Sequence, residues 1–306
     1  MQTKYTLCQF SLFILCFWST IVVAQSCDIA SDLLFRAYFL PAENQSVSQQ
    51  KLLLTRSLQL CPNRPRVNST LATILFKQGQ YSEAAKYFKQ ALNYDKKLYQ
   101  AWYGLGEAYF KLKLYTLSLE AHLQACQHEK DSKERVQNLL EQKRYLFTIK
   151  GDIIDKESLL VLYDKPRWQL LNRKVADCGF PSTLNVQPLH IFLNFDFRTG
   201  QANIDTTNQI IEIAKALQQA EFSIAKIHGH SDNKPFLYVS KDKSDELNFE
   251  LSKTRAINIG NALIEHGVAK ERLEMFGHGY TKPFFFSWLT PENKRVEIEV
   301  EYVFEE

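Results

Sequence analysis

The feature that most restricts the fold of this chain is a recurrence in its first half. Trp102, Leu105, Gly106, Tyr109, Tyr115, Ser118 and Ala125 have counterparts thirty-four positions earlier in Asn68, Leu71, Ala72, Leu75, Tyr81, Ala84 and Ala91, most of them of the same type. Self-similarity at a fixed period implies one structural unit repeated and stacked, because a single unit cannot bury its apolar face alone. The apolar spacing inside each unit is helical, so residues 25 to about 145 are read as helical hairpins. Small residues let two antiparallel helices approach closely, and the aromatics fill the space between neighbouring hairpins.

The repeated positions resemble tetratricopeptide repeats over roughly residues 30 to 130. Phe88 matches the bulky position of a second helix, whereas His122 departs from it, and Lys96 and Lys130 stand where that family has proline. Ser57-Leu58-Gln59-Leu60-Cys61-Pro62 looks like the end of a degenerate first repeat, with its proline present. The resemblance implies a concave face that binds a peptide or a partner protein. Thr73, Tyr103 and Glu107 are candidate groove residues there, while Phe76 and Phe110 are better read as packing residues. Three repeats are the minimum for a stable stack, so the array also serves as a spacer. Residues 133–148 read as an amphipathic helix (Val136, Leu139, Leu140, Tyr145, Leu146) that caps its apolar end.

At the N-terminus Lys4 precedes an apolar run from Leu7 to Ala24, the layout of a secretory signal cleaved after Ala24. The competing readings are an uncleaved anchor and a lipid on Cys27, for which Ala24-Gln25-Ser26 is a poor recognition sequence. Of the six cysteines, Cys8 and Cys16 leave with the signal. Cys27, Cys61, Cys126 and Cys178 remain for an oxidising compartment, where three pairings are open beside the alternative of buried free thiols. No C-x-x-C occurs, which argues against zinc ribbons and thioredoxin-like sites. If Cys27 opens the first helix of the first hairpin and Cys61 closes its second, antiparallel packing brings them together, so Cys27–Cys61 is the expected bridge. The pairing of Cys126 and Cys178 is left open. A net charge of +3 with no long Lys/Arg block gives nucleic-acid binding no support.

Residues 149–188, broken by Pro166, Gly179, Pro181 and Pro188, read as a connector with one or two short helices; Trp168 and Cys178 suggest that it docks rather than floats. From 189 to 306 strand and helix patterns alternate. Leu189–Phe195, Phe222–His230, Leu273–Phe276 and Arg295–Tyr302 read as strands, and Thr206–Ala220 as a helix. A second helix is expected to start at Leu251-Ser252, with Ser252 as its N-cap. The expected class is an all-α hairpin array followed by an α+β sandwich with helices on one face of a small mixed sheet. The expected domains are a signal at 1–24, the repeats with their cap at 25–148, the connector at 149–188 and the sheet domain at 189–306.

The last segment carries, in order, Phe195-Asp196, Thr199-Gly200-Gln201-Ala202-Asn203-Ile204, Gly229-His230-Ser231-Asp232-Asn233, Asn248-x-x-Leu251-Ser252-x-x-Arg255-Ala256, Gly277-x-Gly279 with Pro283, and Asn293-Lys294-Arg295-Val296-Glu297-Ile298. Together these resemble the OmpA-like peptidoglycan-binding domain over about residues 190 to 303. In that family the turn aspartate and the helix arginine hold the diaminopimelate of the wall's peptide stem, which places Asp232 and Arg255 in those roles. The free end of that side chain bears an ammonium and a carboxylate on one carbon. An aspartate suits the first and a planar guanidinium fork the second. Asn248 is expected to order the loop or add a donor, and Asn233, Thr199 and Gly200 are further candidates. One departure from the pattern is length, since nineteen positions separate Asp232 from Leu251. The extra segment around Tyr238 is expected to overhang the pocket, contacting the ligand or restricting access.

The bland alternative for Asp232 and Arg255 is a surface ion pair of little energetic value. A different class of reading takes His228-x-His230-x-Asp232 as ligands of a zinc-dependent hydrolase, although Asn233 stands where that motif needs a further histidine. The reading preferred from sequence is an exported, non-enzymatic envelope protein of the periplasm that needs no cofactor or metal. It holds peptidoglycan through its C-terminal domain and a protein partner through its repeats. The alternative within that class is a scaffold whose wall pocket is non-functional.

Overall fold

The structure is a computed structural model and describes residues 26–40, 44–152, 154–195, 207–232, 234–282 and 294–302. The expected signal, Asn233, Thr199 and Gly200 lie outside those residues. The chain divides into two compact units, Met1–Leu112 and Lys113–Glu306, a division that falls inside the segment 25–148 expected as one domain.

The first unit is helical: α1 over 26–38, α2 Asn44–Leu60, α3 Pro65–Lys77, α4 Tyr81–Tyr94 and α5 Tyr99–Lys111. Pro65 opens α3 where its missing N–H would have had no partner in any case. The repeated small and apolar residues make the seam, with Leu71, Ala72, Leu75, Ala84, Phe88 and Ala91 all buried. Gly104 explains how the Phe88 ring fits, because a Cβ there would strike it. Phe76 packs edge-on against Tyr81 with centroids 5.2 Å apart, as a packing residue should. Thr73 is exposed and its hydroxyl bonds Ser69 O at 3.0 Å, while Tyr103 and Glu107 are half-buried.

A disulfide joins Cys27 to Cys61 with Cα atoms 5.1 Å apart. The Ser57 hydroxyl donates to Ala30 O at 2.7 Å and Arg64 Nη2 to Cys27 O at 2.6 Å, so polar contacts hold the same junction. The Cys27 sulfur is therefore committed to a bridge and is not the free thiol that a lipid would need.

The second unit opens with α6 Tyr115–Ala125 and α7 Lys130–Glu141. The helix expected over 133–148 stops at Glu141. Lys143 turns left-handed (φ 49°), Arg144–Leu146 make a single tight turn, and Phe147–Thr148 become a strand, β1. The reason is a partner in the sheet, as Phe147 and Thr148 pair in parallel with Ile191 and Phe192. The Arg144 guanidinium fixes the turn, lying 3.9 Å from the centroid of Tyr115 and donating to Phe147 O at 2.7 Å.

Residues 149–188 supply α8 Lys156–Tyr163 and α9 Lys165–Asp177, each capped by an aspartate side chain, Asp155 and Asp164. Leu159, Val161, Leu162 and Tyr163 on α8 are buried. The Tyr163 hydroxyl donates to Ile298 O at 3.1 Å, and the Tyr302 hydroxyl to Leu162 O at 2.8 Å, tying α8 to the last strand. A second disulfide, Cys126–Cys178 (Cα atoms 5.9 Å apart), joins the ends of α6 and α9. Arg167 grips Glu120 with two bonds of 2.6 Å between the same helices.

The remaining elements are β2 Leu189–Phe192, α10 Thr207–Gln219, β3 Ile224–His230, α11 Lys241–Glu265, β4 Leu273–Gly277 and β5 Arg295–Glu301. The strands form one mixed sheet in the order β1-β2-β5-β3-β4, with β1–β2 and β3–β4 parallel and β5 antiparallel to both its neighbours. Ala225, Ile227, Val296, Ile298 and Val300 are buried, as are Ile210, Ile213, Ala214 and Leu217 of α10 and Ala256, Ile259 and Leu263 of α11. Alternation along β3 and β5 leaves Lys226 and the glutamates 297, 299 and 301 on the other face, where Lys226 pairs with Glu301. The architecture is a helical repeat region followed by a small five-stranded mixed sheet with helices.

One expectation is overturned here. Helix α11 does not begin at Ser252; it begins at Lys241, capped by the Ser240 hydroxyl, which accepts from Lys243 N at 3.3 Å. The nineteen-position spacing is thus largely extra helix. Arg255 projects from mid-helix and gains nothing from the dipole of an N-terminus.

Candidate functional site

The site sits where β3 ends and α11 crosses it. Gly229 and Gly277, opposite each other on β3 and β4, let the helix backbone come down onto the strands. A Cβ on Gly229 would meet the Ser252 carbonyl and Ala256 N, and one on Gly277 would meet the backbone of Lys253. That close approach brings a guanidinium to the strand end. Arg255 Nη1 donates to His230 O at 3.1 Å, and the side chain is 0% exposed. Burial lowers the Arg255 pKa to about 10 while the charge of Asp232 pulls it back up, so Arg255 stays cationic at neutral pH.

Ser252 acts at this junction as a connector rather than a cap. Its hydroxyl donates to Phe249 O at 2.7 Å and accepts from Gly279 N at 2.8 Å. Gly279 O in turn accepts from Ser231 N at 2.8 Å, which fixes the turn leading to Asp232. Replacing Ser252 with alanine leaves a buried Gly279 N–H without its acceptor. The expected loss in unfolding free energy is about 1–3 kcal/mol, read from denaturant titration.

Asp232 lies just past the strand, 5% exposed. Its Oδ2 has no hydrogen-bond partner among the described residues; the Nζ atoms of Lys294 and Lys234 stand 3.7 and 3.9 Å away. Asn248 orders the following loop, donating to Lys234 O at 3.2 Å and to Ser244 O at 3.1 Å. The structure therefore brings Asp232, Arg255 and Asn248 to one place. Thr73, Tyr103 and Glu107 lie in the first unit. The two lysines went unnoticed in the sequence, although Lys294 stands beside Arg295 in the last strand's motif. Arg295 braces the sheet end, donating to Glu297 Oε1 at 2.7 Å and Lys282 O at 2.8 Å.

The segment after Asp232 is latched rather than draped. Phe236 N donates to Ser244 Oγ at 2.8 Å, and the Tyr280 hydroxyl donates to Asp245 Oδ1 at 2.8 Å. Tyr238, on the segment expected to overhang the pocket, exposes its ring fully to solvent from a left-handed backbone (φ 63°).

The three histidines nearby form a stack. His278 lies between His228 and His230 at 5.1 and 5.0 Å, and His228 Nδ1 faces His278 Nε2 at 2.9 Å. Burial drives the His230 pKa down to about 2, helped by Arg295. Among the described residues no group of three His, Cys, Asp or Glu side chains converges as a metal would require, so the His228/His230/Asp232 chelate finds no focus.

With this geometry in hand, comparison with known proteins shows which families two parts of the chain match. The OmpA family model matches residues 196–296, and a tetratricopeptide repeat model matches residues 69–133. The matches give an OmpA-like domain behind tetratricopeptide-like repeats. No curated protein matches the chain. Solved structures similar to parts of it include the Sgt2 TPR domain from Aspergillus fumigatus (22% identity over 37% of this chain and 78% of that one, TM-score 0.34). Also similar are the OmpA-like domain of FopA1 from Francisella tularensis (17%, covering 38% and 75%, TM-score 0.30) and the periplasmic domain of Helicobacter pylori MotB (23%, covering 35% and 70%, TM-score 0.31). Likenesses at that level leave the function of the OmpA-like domain to its own site chemistry.

Proposed function

We propose that the OmpA-like domain binds peptidoglycan without covalent linkage, taking the diaminopimelate of the stem peptide between Asp232 and Arg255. The repeat region holds a protein partner, and the protein works as an exported binding protein of the periplasm rather than as an enzyme. The observation that carries this is a buried carboxylate with an open Oδ2, set beside a buried arginine at the end of a strand. Left without a ligand, such a group bears a desolvation cost that a bound ammonium relieves. Arg255, Lys234 and Lys294 make the surroundings net positive, which suits a ligand whose carboxylates outnumber its amines.

The two lysines also favour a second reading, in which they already compensate Asp232 and the domain is only a scaffold. A sacculus pull-down separates the two. Asp232→Asn keeps the shape and removes the charge, and Arg255→Lys keeps a cation without the fork. Each is expected to weaken binding roughly 10- to 100-fold, the equivalent of one charge-assisted bond pair. Unchanged sedimentation of both variants, with wild-type melting temperatures, rejects the wall-binding site and leaves the scaffold.

A further inference from the structure

We infer that the loop 234–240 is a second subsite of this pocket, which takes the sugar face of the glycan strand against the Tyr238 ring. The inference rests on the wall-binding reading above. Leu237 is 77% exposed, Tyr238 is fully exposed and Val239 is half out, three consecutive apolar residues facing water. A polar loop tip would be the ordinary solution, and a tyrosine in the left-handed region costs free energy that glycine would not.

The loop is nevertheless held firmly. Lys234 O is bonded by Asn248, Phe236 N by Ser244 Oγ, and Ser240 caps α11, so both sides of the tip are fixed to one helix. A ring presented this way loses little freedom on meeting a ligand. It offers a flat apolar face, and the C–H face of a pyranose complements such a surface.

The distances agree with one polymer serving both places. Diaminopimelate is the third residue of the stem, so about 10 Å of extended peptide separates it from the sugar at 3.3–3.6 Å per residue. Tyr238 lies six residues past Asp232 in the chain, so the backbone between them spans at most ~22 Å. A stem seated on Asp232 and the disaccharide it carries together cover a span of that order.

The test uses two soluble probes, the diaminopimelate-containing stem tripeptide alone and the same tripeptide on its disaccharide. Tyr238→Gly is the informative variant, because glycine adopts the positive φ without strain and the fold is retained. The wild type should bind the disaccharide form about 3- to 10-fold more tightly than the bare tripeptide. Tyr238→Gly should remove that difference and leave tripeptide affinity unchanged. Equal wild-type affinity for the two probes overturns the subsite alone, as does a disaccharide preference that survives in Tyr238→Gly. Failure of the wild type to bind either probe overturns the wall-binding reading and the subsite together. If Tyr238→Gly instead keeps both affinities and releases the protein from anionic phospholipid vesicles, the tip is a lipid contact and the subsite is rejected.

Discussion

Alanine at Gly229 is expected to cost the second unit about 3 kcal/mol or more, enough to lower its melting temperature by many degrees. The added Cβ would collide with the Ser252 carbonyl and Ala256 N. Both are backbone atoms in the middle of α11, bound into its ladder and unable to step aside, so the helix must lift from the strand. Lifting it breaks the Arg255 bond to His230 O and the Ser252 bond to Gly279 N together. Gly260→Ala is the matched control on the same helix, because its Cβ would meet the flexible Met275 side chain and no backbone atom of a neighbouring element among its nearest contacts. Differential scanning calorimetry should rank Gly229→Ala far below Gly260→Ala, and equal melting temperatures would refute the close-packing argument.

Acid is expected to destabilise the second unit well before ordinary carboxylates titrate. His190 is 2% exposed, and among the described residues neither ring nitrogen has a hydrogen-bond partner. Burial, with the charge of Arg144 adding to it, lowers its pKa from 6.5 to about 3. His230 is lowered to about 2, chiefly by burial. Both rings are neutral in the fold, and the unfolded chain binds the extra protons once pH drops below 6.5. Their stabilising contribution is therefore complete above that value and declines as pH falls towards the folded pKa values. At 1.36 kcal/mol per unit, each costs about 2 kcal/mol at pH 5. Urea titrations at pH 7.5 and pH 5 should differ by about 4 kcal/mol, and His190→Leu should recover about half of that. Equal stability at the two pH values would show that these rings are not held neutral.

How much of this was legible beforehand follows from how local each signal is. The repeat period and the inward apolar residues of β5 are short-range patterns, and they yielded the fold class. The placement of Asp232 near Arg255 came from the order of several motifs. The start of α11 is hard to see in the sequence because Leu251-Ser252 looks like a cap, while the true cap, Ser240, precedes a charged stretch with little apolar periodicity. Phe147–Thr148 looks helical in sequence since only its pairing with Ile191 and Phe192, far along the chain, makes it a strand. Lys234 and Lys294 were missed for the same reason: their common neighbour is a carboxylate that folding brings between them.

The length of α11 has a consequence for how this domain can change over time. One uninterrupted rod of 25 residues carries two separable sets of duties. Its later turns, with Ser252, Arg255 and Ala256, are locked to the glycines of the strands. Its earlier turns, with Ser244 and Asn248, hold the 234–240 loop, and Asp245 beside them accepts from the Tyr280 hydroxyl. Selection is therefore free to rewrite the loop, while the Asp232–Arg255 junction and the integrity of the sheet pass unchanged to the next variant.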